Sequence, residues 1–248
     1  MFKTDGSVHH GGILNEDITV HTLNKLKIYS SEVEKRGGTK QKEDAVAGNQ
    51  KISIKRKEGI TNGSFDWFNT SKYNDVLGDT FDAFLSSMKE FRSLPKSVIQ
   101  DDEFILKVRD SFNQLCESCL DALTSDQLIN ILKVGLNDAN SEFDVVVNDT
   151  KTKSLFVFNA DKHSAVDYIN RGFSISLQGK GKSSRKVLFS DGINVYDCGL
   201  RIRVTSNNGI NAFLGLSKAN TNSHVVIKLQ QDNVKQLLTS TQAKKYDY

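Results

Sequence analysis

Residues 40–58 read KQKEDAVAGNQKISIKRKE. The stretch has the pattern of a two-stranded hairpin. Glu43 to Ala47 forms one short strand, Gly48-Asn49 the turn, and Lys51 to Lys57 the second strand. A two-residue loop of Gly and Asn suits a tight hairpin connection. In that register Ala47 faces Gln50, Ala45 faces Ile52, and Asp44 faces Ser53. Side chains alternate along a strand, so Ser53 and Lys55 share one face while Ile52 and Ile54 take the other. Directly opposed residues have Cβ atoms about 5 Å apart. An acid, a hydroxyl and an amine therefore converge on one face, and the two isoleucines anchor the other to a core.

A carboxylate at a strand end suits a hard divalent cation such as Mg²⁺, which takes oxygen ligands and keeps water. A neighbouring lysine can favour ionisation of an attacking water or steady charge on a phosphate. The arrangement resembles the active site of the PD-(D/E)xK nucleases, above all the type II restriction endonucleases. That family carries an Asp on one strand, then an acidic or amide residue, a spacer and a Lys on the next. The matching residues here are Asp44, Ser53, Ile54 and Lys55. Ser53 stands where the family has Glu or Asp, and sometimes Gln or Asn. Glu43 stands where the family name has Pro.

Upstream, a helix is expected from Ile13 to about Leu26, preceded by a polar arm that ends in His9-His10-Gly11-Gly12. Ile13, Val20 and Leu23 fall on one helical stripe, and Glu16 lies among them. An acid in an apolar stripe is costly unless it is paired or bound to metal. PD-(D/E)xK nucleases often place a Glu on a helix before the hairpin, and Glu16 matches that position. The resemblance is specific at Glu16, Asp44 and Lys55 and spans roughly the first third of the chain. It implies Mg²⁺ held by Asp44, Glu16 and the Ile54 carbonyl, with Lys55 orienting or activating water and Ser53 beside them.

Composition sets the broader bounds. The 248 residues are 25% charged and 38% hydrophobic, which suits an ordinary globular protein. No apolar run is long enough for a membrane span and no signal-peptide pattern opens the chain, so no membrane partner is expected. Three cysteines, Cys116, Cys119 and Cys198, argue against a disulfide framework and suit a reducing cytoplasm. Cys116 and Cys119 form a CxxC inside a helical pattern, without a second pair to complete a zinc site. The net charge of +3 hides a segregation. Residues 25–57 hold ten basic and four acidic side chains, residues 75–149 six and fifteen, and residues 171–203 seven and two. If the fold brings the two basic segments together, they make a positive cleft facing a polyanion; otherwise the charges scatter over a solvated surface.

The remainder supplies the scaffold. Residues 59–71, GITNGSFDWFNTS, mix turn residues with aromatics that serve either as a core plug or beside base-reading amides. Helices are expected over residues 76–91, 104–119 and 128–132, the last with Ser125 as N-cap. From Phe143 onward strands dominate: FDVVV, SLFVF, FSISL, VLF, LRIRVTS, AFLGL and SHVVIKL, with short helices near residues 165–170 and 234–238. In LRIRVTS, Leu200, Ile202 and Val204 face one way, and Arg201 and Arg203 the other. The tail from Thr239 reads as polar and frayed.

The expected fold is α/β: a restriction-endonuclease-like mixed sheet flanked by helices, followed by a mostly antiparallel β lobe. Residues 1–140 are read as the catalytic core with a helical middle, and 141–248 as the DNA-binding lobe. The expected activity is Mg²⁺-dependent hydrolysis of phosphodiester bonds in double-stranded DNA, by a monomer or homodimer. Arg56, Lys57, Lys180, Lys182, Arg185, Arg201 and Arg203 are the expected DNA contacts. The alternative is a nucleic-acid-binding protein that keeps the nuclease fold without catalysis.

Overall fold

Strand β1 (Val33–Lys35), β2 (Ala45–Ala47) and β3 (Gln50–Lys57) open the first sheet, and β2–β3 is the hairpin read from the sequence. Its register is Ala45↔Ile52, Val46↔Lys51 and Ala47↔Gln50. Gly48 turns the chain at φ +59°, where an added Cβ would also lie 3.0 Å from the Ser31 hydroxyl oxygen. Glycine avoids both penalties. This computed structural model describes residues 7–36, 43–57, 65–69, 86, 102–138, 143–179, 184–206, 225–231 and 233–248. Apart from Ser86, the expected helix over residues 76–91 lies outside the described residues, as do AFLGL, Lys180 and Lys182.

The chain divides into two units, each discontinuous in sequence. One comprises Met1–Gly63, Asn140–Asp167 and Asn233–Tyr248; the other comprises Ser64–Ala139 and Tyr168–Asp232. The expected division near residue 140 therefore coincides with one boundary, but neither unit is a single run of chain. The first unit takes strands from both halves because β3 pairs in parallel with β5 (Phe143–Asp149), from Lys51↔Phe143 to Lys57↔Asp149. Then β6 (Ser154–Asn159) and β11 (Lys244–Asp247) complete a mixed six-stranded sheet in the order β1-β2-β3-β5-β6-β11.

One face of that sheet is covered by α1 (Ser7–Lys25), and Leu23, Val33, Ala45, Ala47, Ile52, Ile54, Val146 and Leu155 form the core between them. The helix corrects the sequence reading twice. It begins at Ser7, so residues 7–12 are helical rather than part of an arm. Its buried face is Asn15, Thr19, Thr22 and Leu23, while Ile13 is exposed. The reason is a polar patch on the sheet. Asn148 on β5 is fully buried and donates to Thr19 Oγ1 at 2.9 Å. The Asn148 side-chain oxygen Oδ1 accepts from the Tyr248 hydroxyl at 2.9 Å. Apolar periodicity cannot register a helix face whose partner is an amide. At the end of α1, Asn24 bonds both the N–H and the carbonyl of Val33 and ties β1 to the helix.

The C-terminal tail is also ordered rather than frayed. After α5 (Val234–Ser240), β11 pairs with β6 from Lys244↔Val157 to Asp247↔Ser154, and the Tyr248 N–H donates to the Lys153 carbonyl. Alternation places Tyr246 and Tyr248 together, packed against the core.

The second unit holds an antiparallel sheet in the order β4-β10-β9-β8-β7. Its strands are β4 (Phe65–Asn69), β7 (Ser174–Gln178), β8 (Ser184–Ser190), β9 (Val195–Ser206) and β10 (Val225–Gln231). The segment read as an aromatic loop thus contributes an edge strand. Helix α2 (Asp102–Asp121) lies against β9, and α3 (Ser125–Lys133) against β7. The N-cap of α3 is Thr124, not Ser125. The Thr124 hydroxyl accepts from the Gln127 N–H, and the Gln127 side chain accepts from the Thr124 N–H. This reciprocal box requires the Gln three residues on, which selects Thr124. The short helix α4 (Ser164–Asn170) crosses the boundary between units. Among the described residues no helix is long and apolar enough to cross a membrane.

The ordered tail is testable. Tyr248→Phe removes one bond to a buried amide and should destabilise the fold by about 1–2 kcal/mol in urea denaturation. A frayed tail would give no change.

Candidate active site

Asp44 precedes β2, and its main chain still belongs to the sheet. Its N–H donates to the Ile52 carbonyl at 3.0 Å, and its carbonyl accepts from the Arg36 N–H at 2.9 Å. Beyond Asp44 the ladder with β3 is continued by the side chain. Asp44 Oδ2 accepts from the Ile54 N–H at 2.6 Å and from the Ser53 hydroxyl at 3.3 Å. The carboxylate thus replaces the next backbone acceptor at the point where the paired strand ends. In extended antiparallel pairs a residue presents its N–H and carbonyl to the same edge. The Ile54 carbonyl therefore points to the edge where Asp44 stands, although its side chain is buried.

The face opposite α1 carries Lys51, Ser53, Lys55 and Lys57 in alternation along β3. Register puts Lys55 beside Val147 and Lys57 beside Asp149 on β5. Lys51 lies 5.8 Å from the Phe143 ring centroid and Lys57 lies 5.7 Å from that of Phe156. Lys55, half-buried, is the lysine nearest in sequence to the Asp44–Ile54 bond.

Glu16 lies on α1, and its carboxylate pairs with Lys35 at 3.5 Å. Lys35 also holds Asp17 at 2.6 Å, and these contacts raise its pKa, the Asp17 hydrogen bond most of all. Because Lys35 sits opposite Ala45, this cluster belongs to the helix side of the sheet. Asp44 and Ser53 are thus joined by the hairpin and Lys55 lies on the same face of β3 as Ser53, while Glu16 is engaged by Lys35.

Two of the expected DNA contacts are engaged within the fold. Lys57 forms a buried ion pair with Asp149 at 3.0 Å, their side chains 10% and 1% exposed. Burial pushes the Asp149 carboxyl up, but Lys57 and Thr152 together hold it below its ordinary value. Arg185, 5% exposed, donates to Asp121 at 2.6 Å and to the Glu117 carbonyl at 3.3 Å, which fastens α2 to β8. Both cations are spent inside the fold. Arg56 is exposed. Arg201 and Arg203 are half-exposed on β9 while Leu200, Ile202 and Val204 are buried, as the alternation required.

Register adds cations outside the set of expected contacts. Lys186 stands opposite Arg201, and Lys228 opposite Arg203, so two neighbouring rows of the second sheet each carry a basic pair. On β5, Asp144 is also outside the expected site residues. Burial raises its pKa, against the opposing hydrogen bonds from Tyr29 at 3.0 Å and Asn159 at 3.4 Å. The partners lie 115 and 15 residues away, so no local spacing announces them. Cys116 and Cys119 are free and buried, and burial pushes both thiols up to about 12. They serve the α2 core.

No protein-family model, curated protein or solved structure matches this chain.

The two roles of the basic residues separate by stability. Lys57→Met leaves Asp149 buried without its partner and should cost about 3–5 kcal/mol, whereas Arg56→Ala should stay within about 0.5 kcal/mol. The Asp149 carboxyl is depressed on folding. Its contribution is therefore complete above the unfolded carboxylate range and is lost as pH falls through the folded value. Urea denaturation from neutral to acid pH should show Lys57→Met losing less of its stability on acidification than the wild type.

Proposed function

We propose that this chain is a metal-dependent endonuclease of restriction-enzyme type that hydrolyses phosphodiester bonds in double-stranded DNA. The observation that carries the reading is the Asp44 carboxylate bonded to the Ile54 N–H where β2 ends, with Lys55 next along the strand. An Asp on one strand and a Lys on the next is the pattern by which the hairpin resembles the PD-(D/E)xK nucleases. A mixed sheet with a helix on one face is consistent with a restriction-endonuclease-like fold.

The donor set suits Mg²⁺. Both hydrogen bonds fall on Asp44 Oδ2, which leaves Oδ1, and the Ile54 carbonyl points to the same edge. Mg²⁺ commonly binds through one or two carboxylates and keeps several waters. Among the described residues no group of three or more His, Cys, Asp or Glu gathers to hold a metal. Asp44, through Oδ1, and the Ile54 carbonyl are the groups that would hold the ion. When bound, the ion polarises a phosphoryl oxygen and favours a hydroxide nucleophile. Asp44 is fixed by Ile54 and Ser53, so no side-chain reorientation is needed to present its free oxygen. Lys55 supplies a positive charge beside the scissile phosphate and can orient the attacking water through its ammonium donors. Glu16 joins the site only by exchanging Lys35.

A specific observation also favours the alternative, a DNA-binding protein without catalysis. Ser53 stands where the family has a carboxylate, and its hydroxyl donates its proton to Asp44. Plasmid nicking in Mg²⁺ separates the two. Asp44→Asn retains an oxygen to accept the Ile54 N–H but loses the charge. Nicking should fall about a hundredfold or more with the fold preserved. A wild-type protein that binds DNA without nicking it would support the alternative.

Arg201 and Arg203 are the proposed phosphate contacts of the second sheet. Each neutralised phosphate contributes about 0.9 to the slope of log affinity against log salt. Arg201→Ala with Arg203→Ala should therefore lower the slope by about 1–2 units for every duplex sequence. An unaltered slope would place this face away from DNA.

A further inference from the structure

The β8–β9 hairpin ends in Asp191-Gly192-Ile193-Asn194, closed by the pair Ser190↔Val195. Ile193 is 90% exposed and Val195 67% exposed. Isolated exposed aliphatics are common on protein surfaces. Here the surrounding loop is built to hold one of them outward. Asp191 Oδ1 accepts from the Ile193 N–H at 2.9 Å and the Asn194 N–H at 2.7 Å. Asp191 Oδ2 accepts from the Tyr196 hydroxyl at 2.8 Å, and the Ser190 hydroxyl oxygen accepts from the Gly192 N–H at 3.1 Å. Gly192 adopts φ +93°, which a side chain would oppose. The Asp191 bonds also hold its carboxyl at about 2, the Asn194 N–H contributing most.

The base of the tip is equally firm. Tyr196 packs 5.1 Å from Tyr168 and 5.6 Å from Phe173, which stack on each other at 5.0 Å. The Arg171 guanidinium lies 4.6 Å from the Phe173 ring centroid. A loose loop would let Ile193 fold back onto these rings; this one fixes it in solvent.

The face of the sheet that leads to the tip is basic. Register with β8 puts Val195 and Asp197 on the same side as Arg201 and Arg203 across the bulge in β9, and adds Lys228 beside Arg203, while Lys186 beside Arg201 pairs with Asp197. The acids near the tip are turned to the fold's own use. Asp191 closes the loop, and Asp197 bonds Lys186 at 3.0 Å and the Gly199 N–H at 2.7 Å. β9 bulges between Asp197 and Arg201, where the register with β8 shifts, so Val195 and Arg201 are separated by the four-residue span from Ser190 to Lys186, about 13 Å at roughly 3.3 Å per strand residue. That is about four base steps along a duplex at 3.4 Å per nucleotide.

We propose that the β8–β9 tip is an apolar wedge, with Ile193 entering or stacking on a base step of duplex DNA while the basic rows of the same sheet hold phosphates. Apolar side chains inserted between base steps partly unstack them and kink the duplex. Two aliphatic side chains on a narrow tip cover far less area than a stable protein interface needs. The proposal rests on the DNA-binding reading above and adds where the duplex is deformed.

The test uses the full chain and a set of short duplexes, each with one 2-aminopurine at a different position. Wild-type protein should raise the fluorescence at one or a few positions. Ile193→Ser alters no main-chain donor of the loop. It should abolish the rise and weaken binding about tenfold, with the salt slope unchanged. Wild-type binding without any rise, or a rise retained by Ile193→Ser, overturns the wedge and leaves the DNA-binding reading standing. No duplex binding by the wild type removes both. Wild-type binding to anionic phospholipid vesicles that Ile193→Ser loses, with no 2-aminopurine rise, assigns the tip to lipid and also overturns the wedge.

Discussion

The first unit depends on the parallel pairing of β3 with β5. It joins residues about ninety positions apart in seven consecutive pairs, Lys51↔Phe143 to Lys57↔Asp149. A slip of one residue would turn Ile52 and Ile54 away from α1 and bring Ser53 and Lys55 into the core. It would also separate Lys57 from Asp149, leaving two buried charges apart. The ion pair therefore penalises wrong registers, and the apolar pattern favours the right one. The hairpin, the helix cover and the C-terminal strand are all built on that alignment.

The candidate site arises where regular pairing ends. A strand that stops leaves its neighbour with an unsatisfied N–H, and a buried one costs free energy comparable to a lost hydrogen bond. Asp44 supplies the missing acceptor from its side chain. The same bond orients the carboxylate, so fold stability and site geometry share one contact. The second sheet has a different logic. Its core-facing positions are mostly apolar, with Arg185 fastened to α2 and the buried Gln231 side chain donating to the Cys198 carbonyl, and its other face carries cations placed by register.

Much of this was legible because the determining contacts are local. Gly48-Asn49 and the alternation of Ile52 and Ile54 are enough to fix the hairpin register. The alternation of Leu200, Ile202 and Val204 is enough to fix the sides of Arg201 and Arg203. What the sequence hid depends on distant partners. The polar face of α1 is buried because Asn148 lies beneath Thr19, 129 residues away. Lys57 and Arg185 look like surface cations until Asp149 and Asp121 are found beside them. The tail looks soluble by composition, yet its tyrosines alternate onto the core. Lys228 joins the basic rows only through cross-strand register, which no motif records.

Divalent-ion binding at the Asp44 strand end is the most direct test of the account. Mn²⁺, used as a paramagnetic substitute for Mg²⁺, should broaden backbone amide signals around Asp44, Ile54 and Lys55 in a titration followed by nuclear magnetic resonance. The same titration of Asp44→Asn should leave those signals sharp. Broadening centred elsewhere in the chain, or unchanged by the Asn substitution, would contradict the claim that this strand end is a metal site.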